Sequence, residues 1–449
     1  MIDVESVLKI TNKSLVSVLP WVPPYRLVGA SFLFRTCISA LLSRPPRPKY
    51  KALIMSTSKQ KLRNLFKSTR AEEIETKSQT TSLVHIIKPV IPSAIIYCEG
   101  NFGRIDGKTA NGLVRHSLNY RILSVIDSEL AGLDAGEILD NEANGIPIVS
   151  SIEEALIQAD TIPDYFIFGI APSNGFLSDL DKSILLNAMS LKMHIVNGLH
   201  EFLSDDPVFL AASIKNNVRI LDTRKPKDKA ELQTFSGKIH RVKCPRIAVM
   251  GTDCALGKRT TATILANELT KKGLNVVLIA TGQTGIIQGA QYGVALDAVS
   301  AQFCAGELES VIVQAYDTES PDIIIIEGQG ALSHPAFSTS AFILRGSCPT
   351  GVILQHAPNR LYRSDFPDCP MPSVASEINL IETFSNTSVI GLTLNHEGMS
   401  RDETLNAIEW YTTEFDLPVT DALSQPAKHL LHIVLAAFPP LASKLAEEG

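Results

Sequence analysis

No two of the seven cysteines form a C-x-x-C pair, and no grouping of His, Cys and Asp along the chain has the spacing of a metal cage. The sequence therefore carries no zinc ribbon and no dithiol redox motif. An odd number of scattered cysteines, several in apolar runs, reads as free thiols in a reducing compartment. Long hydrophobic runs are also scarce. The stretch from Leu27 to Leu42 spans only 16 residues and contains Arg35, which is short for a membrane span. No small-residue cleavage site marks it for secretion.

Acidic residues are nearly missing from one end. Residues 1–70 carry 13 Lys or Arg against Asp3 and Glu5, a net charge of +11, and the rest of the 449 residues carries −17. An acidic body argues against a nucleic-acid-binding face and against adhesion to anionic membranes. Residues 1–80 are basic, Ser-rich and knotted with proline at Pro20-Trp-Val-Pro23-Pro24 and Pro45-Pro46-Arg-Pro48. The segment reads as a low-order tail. It has the composition of an organelle transit peptide, and equally that of an over-extended start ahead of Met55. The expectation for the remainder is a cytoplasmic protein whose partners are small molecules and copies of itself.

From Ser93 onward, short apolar runs alternate with helical patterns. Ala94–Cys98, Arg121–Ile126, Ile146–Val149, Tyr165–Phe168, His194–Val196 and Val218–Leu221 read as strands, and Ile152–Ala159, Leu180–Leu191 and Pro207–Ile214 as helices. This alternation predicts a parallel sheet covered on both faces, with ligands at the carboxyl ends of its strands. Gly100 and Gly103 after the first strand, with Asp127 ending the second, resemble a dinucleotide fold, but the match to G-x-G-x-x-G is poor. Two strand-end loops stand out, Pro172-Ser-Asn174-Gly175 and Asn197-Gly-Leu-His200-Glu201. The second runs into Ser204-Asp-Asp206-Pro207, an N-cap followed by proline at a helix start. His200 lies where a ligand could reach it. Residues 90–225 form this first domain, and the polar stretch 226–244 reads as a linker.

The second domain, residues 245–445, opens on a phosphate-cradle layout. An apolar strand, Ile247–Met250, leads into Gly251-Thr-Asp253-Cys-Ala-Leu-Gly257-Lys258-Arg259-Thr260-Thr261 and then a helix. Backbone N–H groups, an open helix N-terminus and a lysine converge there on an anion. The usual pattern has a hydroxyl directly after the lysine to ligate Mg²⁺. Here Arg259 takes that place, and the hydroxyls follow at Thr260 and Thr261.

Four consecutive isoleucines, Ile323–Ile326, form a buried strand ending in Glu327, where a P-loop fold places a water-polarising or metal-associated carboxylate. Val276–Ala280 ends in Thr281-Gly-Gln283, Val352–Gln355 in His356-Ala-Pro-Asn-Arg360, and Ser388–Leu394 in Asn395-His396. Asp253, Lys258, Thr281, Gln283, Glu327, His334, His356 and Arg360 are therefore expected along one rim of one sheet.

Together the motifs Gly251–Thr261, Glu327-Gly-Gln-Gly-Ala-Leu-Ser-His-Pro-Ala336, Asn197–Pro207 and Asp106-Gly-Lys-Thr-Ala-Asn-Gly-Leu-Val-Arg115 resemble the D-glutamate N-acetyltransferase family over about residues 90–440. The resemblance implies two α/β domains with doubly wound parallel sheets, Rossmann-like and then P-loop NTPase-like. It also implies acetyl transfer from acetyl-CoA to the amine of D-glutamate or a related D-amino acid. Gln302 stands where close relatives are expected to carry an acid. The cradle and the Glu327 strand end alone also resemble dethiobiotin synthetase, which keeps an ATP/Mg-dependent ligase or kinase, or a nucleotide-binding regulator, as the alternative.

Chemistry then suggests roles. Gly251, Asp253, Gly257, Lys258, Arg259, Thr260 and Thr261 hold the CoA phosphates without a metal. Glu327 is the base, with His334 and His356 as alternatives. Arg360 takes the D-glutamate carboxylates, with Arg224 and Lys108 as weaker candidates. Gln283 and, across the cleft, His200 complete the substrate site.

Overall fold

The computed structural model describes residues 91–172 and 175–447. The basic tail and the centre of the Pro172–Gly175 loop lie outside the described residues. Strands β1 (Ser93–Tyr97), β2 (Arg121–Ile126), β3 (Ile148–Val149), β4 (Tyr165–Phe168), β5 (His194–Asn197) and β6 (Ile220–Asp222) pair in the order β3-β2-β1-β4-β5-β6. Every pairing is parallel. This is a Rossmann-like sheet with its switch point between β1 and β4. Helices α1 (Lys108–Arg115), α2 (Ala135–Asp140), α3 (Ile152–Ala159), α4 (Asp179–Ser190) and α5 (Pro207–Asn216) link the strands. The start of α5 is set as its sequence predicts. Asp206 accepts from Val208 N and Phe209 N at 2.7 and 3.3 Å, and Pro207 supplies a first-turn φ with no N–H to satisfy.

The second sheet adds β9 (Tyr292–Gly293), β14 (Val389–Leu394) and β15 (Val419–Asp421) to four central strands and runs β15-β14-β11-β7-β10-β8-β9, again parallel throughout. Its centre is β7 (Arg246–Gly251), flanked by β10 (Ile323–Glu327) and β11 (Gly351–His356), with β8 (Val276–Ala280) beyond β10. All four isoleucines of β10 are fully buried because helices cover both faces. Helices α6 (Lys258–Lys271), α7 (Gln283–Gln288), α8 (Ala301–Glu319), α9 (Thr339–Ser347), α10 (Val374–Ser385), α11 (Arg401–Phe415), α12 (Lys428–Ala437) and α13 (Pro439–Glu447) complete the domain. A small antiparallel hairpin pairs β12 (Tyr362–Arg363) with β13 (Phe366–Pro370). Among the described residues no single helix is long and apolar enough to cross a membrane.

The stretch between the domains is a strap bonded to α8. Two glutamates on that helix, each about 2 % exposed, hold it. Glu307 accepts from Gln233 N at 2.7 Å and pairs with Lys227 at 2.8 Å. Glu309 accepts from Ser236 N at 2.6 Å and Ile239 N at 3.0 Å. Gly306 makes the approach possible, since a Cβ there would lie 2.3 Å from Gln233 O and from the carbonyl carbon of Thr234. Gly306→Ala is expected to push the strap off and to cost roughly 1–3 kcal/mol by chemical denaturation. A midpoint unchanged from wild type would show that the strap adds nothing.

The two domains meet through α7. Its Ile287 packs into the first domain's core beside Leu113 and Val196. Thr284 Oγ1 lies 3.1 Å from Thr109 Oγ1, and Gln288 Nε2 donates to Gly112 O at 2.6 Å and His116 O at 2.9 Å. A second strut joins Arg224 to Asp297 at 2.7 Å, with His200 Nε2 3.8 Å from the same carboxylate.

Candidate functional site

The loop between β7 and α6 has the properties of an anion cradle. Among the described residues, no protein acceptor takes the backbone N–H groups from Asp253 to Thr260. Gly257 caps α6 at φ 92°, a left-handed conformation, and no side chain caps the helix. Gly251 leaves room for the stem of Lys258, whose Cδ would lie 2.9 Å from a Cβ at that position. The ammonium is buried and donates to the carbonyl of Asp253. Burial lowers its pKa, opposed by the charges of Asp253 and Glu327. A desolvated cation beside unpaired N–H donors favours a phosphate.

Arg360 and Arg363 brace this loop from outside. Arg360 donates to Asp253 Oδ2 at 3.2 Å, Cys254 O at 2.9 Å and Ala255 O at 3.3 Å, and pairs with Glu397. Its fork is thus committed to the cradle and is not displayed to a substrate carboxylate. Arg363, on the hairpin, donates to Thr252 O at 3.3 Å and to Ser333 Oγ at 3.0 Å. Thr261 also turns inward, donating to Gln355 Oε1 at 2.6 Å and so tying α6 to β11. Thr260 remains partly exposed in the first turn of α6.

Asp253 and His334 are both fully buried side chains facing each other at 3.7 Å. The His334 Nδ1 lone pair accepts from Ala336 N and Phe337 N at 3.3 and 3.1 Å. Its proton therefore sits on Nε2, which is oriented as a donor, and a base needs the free lone pair this ring has already spent. Among the described residues neither His334 Nε2 nor Asp253 Oδ1 has a hydrogen-bond partner. With Cys254 they bring three donor atoms within 4.8 Å of one another. The set does not suit a cation. Burial pushes the Cys254 thiol up to about 11, His334 presents N–H, and Arg360, Arg363 and Lys258 supply positive charge.

His356, at the end of β11, accepts from or donates to Thr252 Oγ1 at 2.9 Å and packs edge-on against Tyr411. Burial, aided by Arg360, lowers its pKa to about 4. The ring is neutral at pH 7. Between an unfolded value near 6.5 and that folded value the unfolded chain binds the extra proton. His356 thus contributes stability that is present above about pH 6.5 and lost as pH falls toward 4, about 3 kcal/mol in all. A pH series of denaturant melts is expected to show this slope in wild type and to show it flattened in His356→Gln. Identical slopes would remove His356 from the acid sensitivity.

The remaining residues gather at the seam between the domains. Glu327 ends β10, about 7 % exposed, and its Oε2 accepts from Thr281 N at 3.1 Å. Gly285 gives it space, since a Cβ there would lie 2.7 Å from Oε2. Burial raises its pKa, opposed by Arg259, the N–H groups of Thr281 and Gly282, and Lys258. Arg259 leaves the cradle and reaches the first domain, its Nη2 lying 2.5 Å from where a Cβ of Gly112 would stand. Gln283 is buried against Gly198 of the Asn197 turn. That turn is locked by Asn197, which donates to Glu201 O at 2.7 Å and Asp222 Oδ1 at 2.8 Å. His200 is exposed beside Asp297, and partial desolvation lowers its pKa. Gln302 is exposed in the first turn of α8.

The structure therefore divides the predicted set in two. Asp253, Lys258, His334, His356 and Arg360 surround the cradle, and Arg259, Gln283 and Glu327 lie at the seam, with Lys258 acting electrostatically on both groups. Arg363, Thr109 and Asp297 are additions that the strand-end pattern did not single out. Arg363 follows no strand end, and Thr109 and Asp297 acquire their positions only when the domains dock.

A Rossmann-like sheet joined to a P-loop sheet, with a loop of unpaired N–H groups beside a buried carboxylate at the junction, defines a two-domain α/β protein. Family models match the chain over both parts: a Rossmann-like domain of unknown function (DUF1611_N) over residues 128–226 and a P-loop domain of unknown function (DUF1611_C) over residues 233–431. The chain belongs to this DUF1611 family, and it is also similar to curated proteins named D-glutamate N-acetyltransferase. The one from Pseudoalteromonas sp is 33% identical over 302 residues, covering 65% of this chain and 87% of that protein. The one from Tritonibacter scottomollicae is 28% identical over 276 residues, covering 60% and 80%. The crystal structure of a DUF1611 family protein from Anabaena variabilis, 33% identical, superimposes with a TM-score of 0.71 over 77% of this chain and 99% of that one.

Proposed function

We propose that this protein transfers an acetyl group from acetyl-CoA to the amine of D-glutamate or a related D-amino acid. The observation that carries the reading is the pairing of an anion cradle with Glu327, a buried carboxylate of raised pKa at the domain seam. The names of the relatives from Pseudoalteromonas and Tritonibacter support the choice of reaction.

The cradle and Lys258 hold CoA phosphate groups. Glu327 takes one proton from the substrate ammonium, and its raised pKa makes it the stronger base. The freed amine attacks the thioester carbonyl, an N–C bond forms and the C–S bond breaks. The second proton on nitrogen goes to the departing thiolate, giving the amide and CoA thiol, and Glu327 returns its proton to water. Arg259 makes no hydrogen bond among the described residues and lies beside Glu327, which suits it to the acceptor's carboxylate. His334 Nε2–H is a donor for an oxygen of the bound cofactor. Arg360 and Arg363 keep the loop in shape.

Conventional use of Mg-ATP is disfavoured by the side chains themselves. The position after Lys258 is an arginine, and the Thr261 hydroxyl is spent on Gln355. A thermal-shift series tests the choice. Acetyl-CoA is expected to raise the melting temperature and Mg-ATP to leave it unchanged. The reverse pattern would favour a ligase or kinase.

A further inference from the structure

The first domain has a crevice that the acetyl-transfer chemistry does not use. It lies at the carboxyl ends of β1 and β4, at the switch point of the sheet, and is an open cavity of ≈ 390 Å³. In dinucleotide-binding proteins of this topology the crevice receives a pyrophosphate. Here its polar wall carries two carboxylates beside Asn101 and Ser178. Glu99 begins the loop after β1, and Asp181 stands in the first turn of α4. The N-terminus of α4 is already satisfied by its own residues. Ser178 Oγ accepts from Asp181 N at 3.1 Å, and Asp181 accepts from Ser178 N at 3.0 Å. Among the described residues no Lys, Arg or His lines the cavity. The nearby bases are engaged elsewhere, Arg104 with Glu129 and Lys182 with Glu201. An anion entering here would meet two negative charges and no positive one.

The apolar wall is aromatic and aliphatic, formed by Tyr97, Phe168 and Leu177. Tyr97 is about 4 % exposed, and its ring packs against Phe166 and Phe168 at 6.1 and 5.8 Å. Its hydroxyl has no hydrogen-bond partner among the described residues. Burial raises its pKa, reinforced by the charges of Asp181 and Glu99, so the phenol stays neutral. An unpaired hydroxyl on a nearly buried ring that lines a cavity is a polar group placed for a ligand. Aromatic faces beside carboxylates are the combination that binds an organic ammonium. The volume lies at the low end of the range for small-molecule sites.

We propose that this crevice binds a small organic cation, a primary ammonium on a short apolar body, and rejects dinucleotides and other anions. The ammonium pairs with Glu99 and Asp181, whose carboxylates keep lone pairs beyond those given to Ser128 and Ser178. The Tyr97 hydroxyl accepts one of its N–H groups, and the hydrocarbon lies against Phe168 and Leu177.

Isothermal titration with n-butylammonium chloride tests this, with sodium butyrate and NADH as matched anionic probes. Saturable binding of butylammonium alone is the expected result. Tyr97→Phe should weaken it by about threefold or more and Glu99→Gln by about tenfold. Tyr97→Phe keeps the ring and its packing, so it guards against a loss caused by misfolding. Glu327→Gln should leave the affinity unchanged, which separates this crevice from the acetyl-acceptor site. Three results would each overturn the proposal. These are no saturable butylammonium binding, binding of NADH or butyrate as tight as that of the amine, and butylammonium binding that survives Tyr97→Phe and Glu99→Gln but is lost in Glu327→Gln.

Discussion

Glu327→Gln lowers kcat for acetyl transfer by roughly 10²–10⁴-fold while leaving acetyl-CoA affinity nearly unchanged. The substitution is close to isosteric, and the amide oxygen still accepts from Thr281 N, so the pocket made by Gly285 is filled as before. What disappears is the lone pair that takes the ammonium proton. The same change has a second signature. Burial raises the folded-state pKa of Glu327 above its unfolded value. The native state therefore holds the proton longer, and stability contributed at low pH is lost as pH rises through the folded value. Above the folded value the ionised, desolvated carboxylate is a cost, so there the variant should melt at the same temperature as wild type or higher. Loss of turnover with no loss of stability separates a base from a structural carboxylate. Unaltered kcat would exclude Glu327 from proton transfer.

Lys258→Met weakens acetyl-CoA binding by roughly 10–100-fold, the worth of about 1.5–3 kcal/mol for hydrogen bonds to a charged group. Methionine keeps most of the stem that packs against Gly251 and removes only the ammonium. Because that ammonium is desolvated, its removal relieves a burial cost in the free protein, and the melting temperature should not fall. The Kd from titration calorimetry is the readout. A Kd equal to that of wild type would mean the CoA phosphates bind elsewhere. Loss of Lys258 also removes one of the charges that oppose the rise in Glu327's pKa, so the pH–rate profile of the variant should move to higher pH.

The fold was largely legible because parallel strands buried on both faces leave apolar runs that end in Gly, Asp, Glu or His. β10 and β7 are the clearest cases. Helix α8 was not legible. Its inward face carries Glu307 and Glu309, which bind the strap at residues 233–239 and interrupt the apolar stripe that would announce a buried helix. The β12–β13 hairpin was missed for a related reason. Its strands are short and mostly exposed, two prolines fall in the second, and only Arg363 is buried.

The site was legible as a list of residues but not as an arrangement. Arg360 has the chemistry of a carboxylate receptor, yet its acceptors are loop carbonyls and Asp253, none of which its own sequence position discloses. Arg259 follows the cradle lysine in sequence, but the helical turn carries its long side chain away to the first domain. Thr261 lies on the core side of α6 and meets Gln355, whereas a hydroxyl one residue after the lysine would face the loop. In each case the contact that decides the role comes from a segment far away in the chain.

Acetyl transfer is tested by release of CoA thiol from acetyl-CoA by the purified protein, followed across D- and L-glutamate and a panel of other amino acids, without nucleotide. The predicted result is turnover with D-glutamate or a related D-amino acid, weak or absent with the L-enantiomer and lowered roughly 10²–10⁴-fold in Glu327→Gln. A protein that binds acetyl-CoA yet releases no thiol with any D-amino acid would contradict it.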